Sequence, residues 1–336
     1  MRLLLNRPLK HPLLLPLEMF NTDQYNAVRA LSGAWIADEV SLITVTGEDR
    51  YTWLQGMVSN DTRRLKSGDT SALFACVLDA TGHLLADIVL HDLPELETMV
   101  IEAPSNRASY LLDLLDRYIV TEDVALAPAS ESIVTVQGPD AAGIASEIDS
   151  ACQGRIKQRD RTGSGGFDIW LSQVCLRAAL EMAKDRWATI IDVDTRELLR
   201  IEAGIPKYGV DMDQSTIALE AGLGPSHISL TKGCYMGQEV IARIDSRGHT
   251  NRALTGLVLT EGEVGADAMK LYIQDEGGAA KETGRITSFA PCSPAMSGQT
   301  IALGYVRNEH REPGTAVSTL DGSAVFSIVE LPFYRC

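Results

Sequence analysis

This 336-residue chain has no excess of positive charge, no closely spaced cysteine pairs and no long apolar runs. The formal net charge of −15 argues against a protein that binds nucleic acid through its phosphates. No Cys-x-x-Cys pair is present, which argues against a zinc site or a sequence-local cluster site. No apolar run reaches membrane-spanning length. We therefore expect a cytoplasmic monomer with reduced thiols that contacts neither membrane nor nucleic acid directly and carries no metal site.

The length of the chain predicts two or three domains. A leucine-rich opening interrupted by three prolines lacks a continuous signal-peptide core, and we interpret residues 1–25 as an irregular arm. Residues 26–250 mix helix and strand patterns and are expected to form two α+β lobes. Residues 251–336 alternate apolar and polar positions between Gly, Pro and Ser turns, which predicts an all-β barrel. The acidic, Gly/Ala-rich segment 261–281 is interpreted as a mobile connection.

A strand–turn–helix pattern occurs twice. Residues 132–140 repeat residues 41–49 almost position for position, 91 residues further along the chain. Coincidence within a common local pattern is the alternative, but the length of the match favours two related βα modules, near 41–58 and 132–148.

A hairpin is predicted between these modules, with strands over 73–78 and 84–90 and a turn at 79–82. Alternation in the second strand places Leu85, Asp87 and Val89 on one face. Burial there would raise the pKa of the Asp87 carboxyl unless a cation or hydrogen-bond donors compensate. The sequence leaves an edge position, with Asp87 in water, equally open.

The segment of residues 232–239 has the composition of a functional site. Lys232, Gly233, Cys234, Tyr235, Gly237, Gln238 and Glu239 bring a thiol, an ammonium, an amide and a carboxylate into eight positions. A short helix is predicted from Gln238, so Cys234 would lie before a helix N-terminus and near Lys232, which favours the thiolate. A buried cysteine that acts as a small hydrophobe is the alternative.

Lys-Gly-Cys-aromatic-x-Gly-Gln-Glu resembles the signature of the YgfZ family, which are folate-binding proteins that support iron–sulfur cluster assembly. That family is related to the T-protein, the aminomethyltransferase of the glycine cleavage system. Further similar patterns occur at Leu54-Gln55-Gly56, at 200–204 and at Thr287-Ser288. The resemblance implies an α+β, T-protein-like, three-lobed ring with a C-terminal all-β barrel.

The same resemblance implies a tetrahydrofolate site. Asp87 matches the aspartate that faces the reactive folate nitrogens, and Asp168 stands where the T-protein has a glutamate that reads the pterin ring. Arg196 matches a folate-site arginine, although a helix-surface salt bridge is its alternative reading. Tyr208 and Glu220 are also assigned to this site. The glycine-rich loop before Asp168 is shorter than in the T-protein and lacks its tyrosine, and the 232–239 segment replaces the T-protein's own.

Three hypotheses follow. The first is a factor that binds tetrahydrofolate, or a one-carbon derivative of it, and supports assembly or repair of iron–sulfur clusters in client or assembly proteins, with Cys234 as its functional thiol beside Lys232. The second is a tetrahydrofolate-dependent aminomethyl- or methyltransferase of the T-protein type, which the retained Asp87 favours. A ligand-free scaffold is the third.

Overall fold

The computed structural model describes residues 20–265, 269–274 and 278–335. The helices of this part of the chain are α1 (Thr22–Ala30), α2 (Arg50–Met57), α3 (Arg63–Lys66), α4 (Ser105–Asp116), α5 (Ala141–Cys152), α6 (Leu176–Asp185), α7 (Val193–Glu202), α8 (Gly224–His227) and α9 (Gln238–Arg247). The first ten strands are β1 (Gly33–Ile36), β2 (Val40–Thr46), β3 (Ala72–Leu78), β4 (Leu84–Leu93), β5 (Thr98–Pro104), β6 (Ala125–Pro128), β7 (Glu131–Gln137), β8 (Arg155–Gln158), β9 (Gly166–Ser172) and β10 (Thr189–Ile190). The remaining strands are β11 (Arg252–Gly262), β12 (Lys270–Gln274), β13 (Ala280–Ser293), β14 (Gln299–Arg307), β15 (Ala316–Ser318) and β16 (Ala324–Val329).

The first sheet is antiparallel, with strand order β3-β4-β5-β2-β6. Helices α2, α3 and α4 cover one of its faces, where Trp53, Leu54 and Leu111 pack against apolar residues of the strands. β2 is rich in β-branched residues, which suits a buried central strand.

The second sheet has the order β10-β1-β7-β9-β8, with β1 and β10 parallel and the other pairs antiparallel. α5 and α6 cover its outer face. β2 and β7, the two strands of the sequence repeat, are each followed by a left-handed glycine, Gly47 with φ +104° and Gly138 with φ +118°. A side chain at either glycine would collide with a backbone carbonyl, at 2.0 Å from Asp123 O in the case of Gly47.

The C-terminal strands close a barrel in the order β11-β14-β13-β12-β15-β16, which confirms the predicted α+β fold with an all-β barrel at its C-terminal end. The interpretation of 261–281 as a mobile connection was wrong where it covers β12. Leu271 is the residue of β12 that is buried in the barrel core. A strand with a single buried apolar residue shows little alternation, so its sequence signal is weak. Parts of that segment, and residues 1–19 of the predicted arm, lie outside the described residues.

Two buried carboxylates join the barrel to the α/β part. Glu202, fully buried at the end of α7, accepts hydrogen bonds from Tyr25 Oη at 2.9 Å and Ser293 Oγ at 2.6 Å and forms an ion pair with Arg29 at 2.6 Å. Asp211 likewise accepts from Thr287 and Ser288 of β13. These contacts fix α1, α7 and the barrel relative to one another. The predicted arm therefore ends before residue 22, where α1 begins.

The two sheets face each other with their uncovered sides. Leu42 and Val100 of the first sheet pack in one cluster with Ile133 and Trp170 of the second. Beyond this apolar contact the facing surfaces carry charged side chains. Among the described residues, no helix is both long enough and apolar enough to cross a membrane.

Candidate functional site

Asp87 lies on the inner face of β4, opposite Cys76 of β3, as the predicted alternation requires. Its side chain is half-buried, and its Oδ1 atom is buried with no hydrogen-bond partner among the described residues. Burial raises the pKa of Asp87 to about 6; Glu102 adds to the increase and Arg159 opposes it. The carboxyl therefore gains and loses a proton close to neutral pH.

Glu102 is the centre of a buried charge cluster that the sequence did not predict. Its carboxylate lies 3.1 Å from Arg161 Nη2, 3.5 Å from Arg159 Nη2 and 3.4 Å from His91 Nε2. Burial by itself would raise the pKa of Glu102, but the two guanidinium groups outweigh burial and hold the pKa below its usual range. The same burial lowers the pKa of His91. Glu102 therefore carries its charge in the interior because two cations accompany it.

Asp168, on the facing strand β9, is fully buried and paired with Arg161. The guanidinium donates from Nη2 to Oδ2 at 2.6 Å and from Nε to Oδ1 at 3.1 Å. Arg161 thus connects Asp168 to Glu102 across the two sheets. The predicted position of Asp168 at the site is consistent with this geometry, but both of its oxygens already accept a bond from the protein.

Arg159 is the cation next to Asp87. Its guanidinium carbon lies 4.7 Å from the ring centroid of Phe74, and its Nε is buried without a hydrogen-bond partner among the described residues. The Phe74 ring contacts the His227 ring at 5.2 Å between centroids. Burial, reinforced by Arg159, lowers the pKa of His227 to about 4. The sequence signal for both arginines was the Arg-Asp-Arg run before the glycine-rich loop, which the structure places directly after β8.

Arg196 lies at the margin of this cluster. Its guanidinium is 3.5 Å from Asp38 and 3.7 Å from Glu39, and Glu39 is also 3.9 Å from Arg161. The pair with Asp38, whose side chain is mostly exposed, is the surface salt bridge of the alternative interpretation. The pair with Glu39, in contrast, connects Arg196 to the cluster through Arg161.

Tyr208 and Glu220 differ in their relation to Asp87. The Tyr208 hydroxyl donates to the Leu84 carbonyl at 3.4 Å, and burial raises the pKa of Tyr208 to about 12 with a smaller contribution from Asp87. Glu220 instead pairs with Arg252 of the barrel at 2.9 Å. Its side chain lines a separate cavity of about 730 Å³ between the hairpin and the barrel. Glu220 is therefore not part of the Asp87 cluster.

Lys232 is buried and directs its ammonium into the α/β part. Its Nζ donates to the carbonyls of Gln55 at 2.7 Å, Val58 at 2.6 Å and Asn60 at 3.0 Å. Burial lowers the pKa of Lys232 to about 8. Three acceptors use all three N–H groups of an ammonium, so none is left to donate to Cys234. Lys232 therefore does not support the thiol through a hydrogen bond.

The rest of the 232–239 segment separates into a buried and an exposed part. Tyr235 packs in the apolar cluster that also contains Cys76. Cys234 and Glu239 are exposed. Gly237 has φ +81°, caps α9, and lies so close to the β3–β4 turn that a Cβ atom there would be 2.6 Å from the Asp79 carbonyl. The predicted helix from Gln238 is confirmed as α9, and the segment is seated on the hairpin whose second strand carries Asp87.

Fold and site together define a mixed α/β protein with a charged cluster between two facing sheets and a closed C-terminal barrel. The solved structure of glycine cleavage system aminomethyltransferase T from Bartonella henselae has this fold. The match has a TM-score of 0.81 at 24% sequence identity and covers 93% of this chain and 89% of that one.

Sequence comparisons agree with this likeness. Residues 8–158 match the family model of the GCVT N-terminal domain. The aminomethyltransferase of Streptomyces avermitilis is 27% identical over 341 residues, and that of Saccharopolyspora erythraea is 28% identical over 344 residues. Each alignment covers 93% of this chain and 89% of the relative. The chain is thus similar to the GCVT N-terminal domain over residues 8–158 and to aminomethyltransferases over most of its length, in agreement with the predicted T-protein resemblance. The narrower YgfZ assignment stays a prediction.

Proposed function

We propose that this protein binds tetrahydrofolate between its two sheets and transfers a one-carbon unit in the manner of an aminomethyltransferase. The Asp87 carboxyl is the observation that carries the proposal. It is half-buried, has a buried oxygen without a partner among the described residues, and titrates near pH 6. The homologues named as aminomethyltransferases support the transferase reading over the assembly-factor reading.

The polar atoms between the sheets suit the chemistry of folate. The pterin ring offers N–H donors, and Asp87 Oδ1 is an acceptor without a partner among the described residues. Arg159 Nε is a matching donor for a carbonyl or carboxylate of the ligand. Asp168 retains acceptor capacity beside Arg161, because each carboxylate oxygen has two lone pairs. We assign Asp87, Arg159 and Asp168 to direct contacts and Arg161 to orienting Asp168.

The proposed roles follow from charge. When bound, tetrahydrofolate supplies the nitrogens that carry the one-carbon unit. Asp87 holds or releases a proton at its carboxyl near neutral pH, which is the range in which a general acid or base is most effective. Arg159 stabilises the ionised form and Glu102 destabilises it, so the two set the proton affinity of Asp87. Tyr208 packs in the apolar cluster that also contains Cys76, the residue opposite Asp87, and so contributes to the burial of this region.

The second candidate is a folate-dependent factor for iron–sulfur cluster assembly or repair in client enzymes. Its support is the exposed Cys234 thiol within the 232–239 segment. A single cysteine cannot hold a cluster by itself, so contact with a client or assembly protein would be transient or shared.

Anaerobic calorimetric titration with tetrahydrofolate tests the shared first step. We expect Asp87→Asn to weaken binding about tenfold to a hundredfold, since a hydrogen bond to a charged group is replaced by one to a neutral group. Asp116→Asn, an exposed change on α4, is the matched control and should bind normally. Unchanged affinity in Asp87→Asn would remove Asp87 from the site.

Two activity assays separate the candidates. Formation of methylenetetrahydrofolate from an aminomethyl donor, lost in Asp87→Asn and kept in Cys234→Ala, supports the transferase. Restored activity of an iron–sulfur enzyme in a bacterial strain without its own YgfZ-family factor, by wild type but not by Cys234→Ala, supports the assembly factor. If both variants behave like wild type in both assays, neither residue has the proposed role.

A further inference from the structure

Cys152 and Cys175 lie on either side of one β-hairpin in the chain. β8 and β9 pair antiparallel with Arg155 opposite Trp170. Gly154, just before β8, is so near β9 that a Cβ atom there would be 2.6 Å from Leu171 Cδ2. α5 ends at Cys152, and the 3₁₀ turn after β9 ends at Cys175. Two cysteines that lie 23 positions apart in sequence are therefore brought to the same, open end of the hairpin.

The two side chains share one apolar environment. Both are free and half-buried, and both pack against the same apolar cluster under α5 and α6. The β8–β9 register, with Arg155 opposite Trp170, continues to place Cys152 beside the turn that ends at Cys175, and Ser172 Oγ donates to Cys175 Sγ at 3.4 Å. Cys175 also contributes to the raised pKa of Cys152. Cys76 is fully buried, whereas Cys234 and Cys292 are exposed. Within the described part of the chain, this pair therefore combines a neighbouring thiol with partial access to solvent.

We propose that Cys152 and Cys175 form a redox modification site, a reversible disulfide made by exchange with glutathione disulfide. The Cys175 thiolate attacks one sulfur of glutathione disulfide, forms a mixed disulfide and releases one glutathione thiolate. Cys152 loses its proton to solvent and attacks the Cys175 sulfur, which releases the second glutathione. Two electrons pass from the two protein thiols to one glutathione disulfide, and two glutathione molecules leave.

Cys175 is the first attacker for a physical reason. Its neighbours Ser172 and Val174 are exposed, and Ser172 Oγ donates to its sulfur, so Cys175 lies where glutathione disulfide can reach it. Burial raises the pKa of Cys152, and the neighbouring Cys175 adds to the increase. Cys152 therefore acts as the resolving thiol, a role in which its short path to Cys175 matters more than its ionisation.

The disulfide would close the stretch of chain that forms one wall of the charged cluster. Arg159, Arg161 and Asp168 all lie between the two cysteines in sequence. Oxidation would join the last residue of α5 to the turn before α6 and so hold the open end of the hairpin together. This inference does not depend on the ligand of the site, because it concerns only the thiols and the hairpin.

The experiment uses the full-length protein in glutathione buffers of increasing disulfide content, followed by acid quench, alkylation and non-reducing peptide mass spectrometry. Trypsin leaves Cys152 and Cys175 on different peptides, which end at Arg155 and Arg177. We expect these peptides to become linked with the loss of two hydrogens. The oxidised protein should melt about 5 °C higher than the reduced one, as closing a loop of this size restricts the unfolded chain.

Two serine variants make the outcome decisive. Cys152→Ser should lose both the link and the melting shift and should accumulate glutathione on Cys175. Cys292→Ser, which removes an exposed barrel thiol, should keep the link and the shift. Circular dichroism of each reduced variant checks folding. Recovery of Cys152 and Cys175 as unlinked thiols, or as separate glutathione adducts, in excess glutathione disulfide would overturn the proposal. So would linkage of Cys175 to Cys234 in the wild type.

Discussion

Replacing Asp87 by asparagine should make the protein more stable above pH 6 and leave its stability unchanged near pH 4. The pKa of this carboxyl rises from 3.8 to about 6 on folding. The folded state therefore holds the proton more tightly than the unfolded state, and the stability of the wild type falls as pH rises between these two values. Above pH 6 both states are ionised, and the full penalty of burying the charge remains.

The magnitude follows from the shift. A change from 3.8 to about 6 corresponds to about 3 kcal/mol at pH 8. Because the side chain is only half-buried, we expect a gain of about 1–3 kcal/mol for Asp87→Asn. Its charged neighbours tolerate the change, since Arg159 and Arg161 remain balanced by Glu102 and Asp168.

Urea unfolding followed by tryptophan fluorescence, repeated from pH 4 to pH 8, measures this difference. Asp116→Asn, which removes an exposed carboxylate, provides the baseline at each pH. Other titrating groups cancel in the comparison with wild type. A gain that is the same at every pH, or a loss of stability at pH 8, would refute the reasoning, because Arg159 would then compensate the Asp87 charge completely. A stabilised variant with weakened folate binding would show that the site is maintained at a cost to stability.

Three further substitutions test the surrounding structure. Lys232→Met should cost about 3 kcal/mol or more in urea unfolding, because three backbone carbonyls lose their donor, while Lys184→Met on the surface should cost almost nothing. Cys234→Ala should change stability by less than about 0.5 kcal/mol, since the thiol is exposed; a loss of several kcal/mol would mark it as a packing residue. Asp168→Ala should cost about 3–5 kcal/mol by leaving Arg161 without its closest carboxylate, and a fully stable variant would show that this ion pair contributes nothing.

The local elements of this fold could be predicted because their signals are local. The β3–β4 turn has its own turn residues, and the alternation in β4 placed Asp87 on one face of the strand but left its burial open. The helix after Gly237 and most barrel strands follow the same rule, since each has a capping or turn residue at its boundary. Short strands such as β1 and β10 were missed because four residues or fewer give little pattern.

The charge cluster could not be predicted, because its contacts join residues far apart in sequence. Glu102 and Arg161 lie 59 positions apart, and no local pattern pairs them. Lys232 was expected to act on a neighbour two positions away, whereas its acceptors lie 172 or more positions earlier in the chain. The Asp168 assignment rested on a family pattern, which places the residue but does not show that Arg161 already occupies both oxygens.

The clamped backbone on either side of Cys234 has a consequence for encounters with other molecules. Lys232 ties the chain to three carbonyls before the thiol, and Gly237 presses against the hairpin turn after it. A loop held in this way has little conformational freedom left to lose when something binds to it. The entropic cost of an encounter at Cys234 therefore falls on the incoming molecule, and rigid partners should associate more readily than flexible ones.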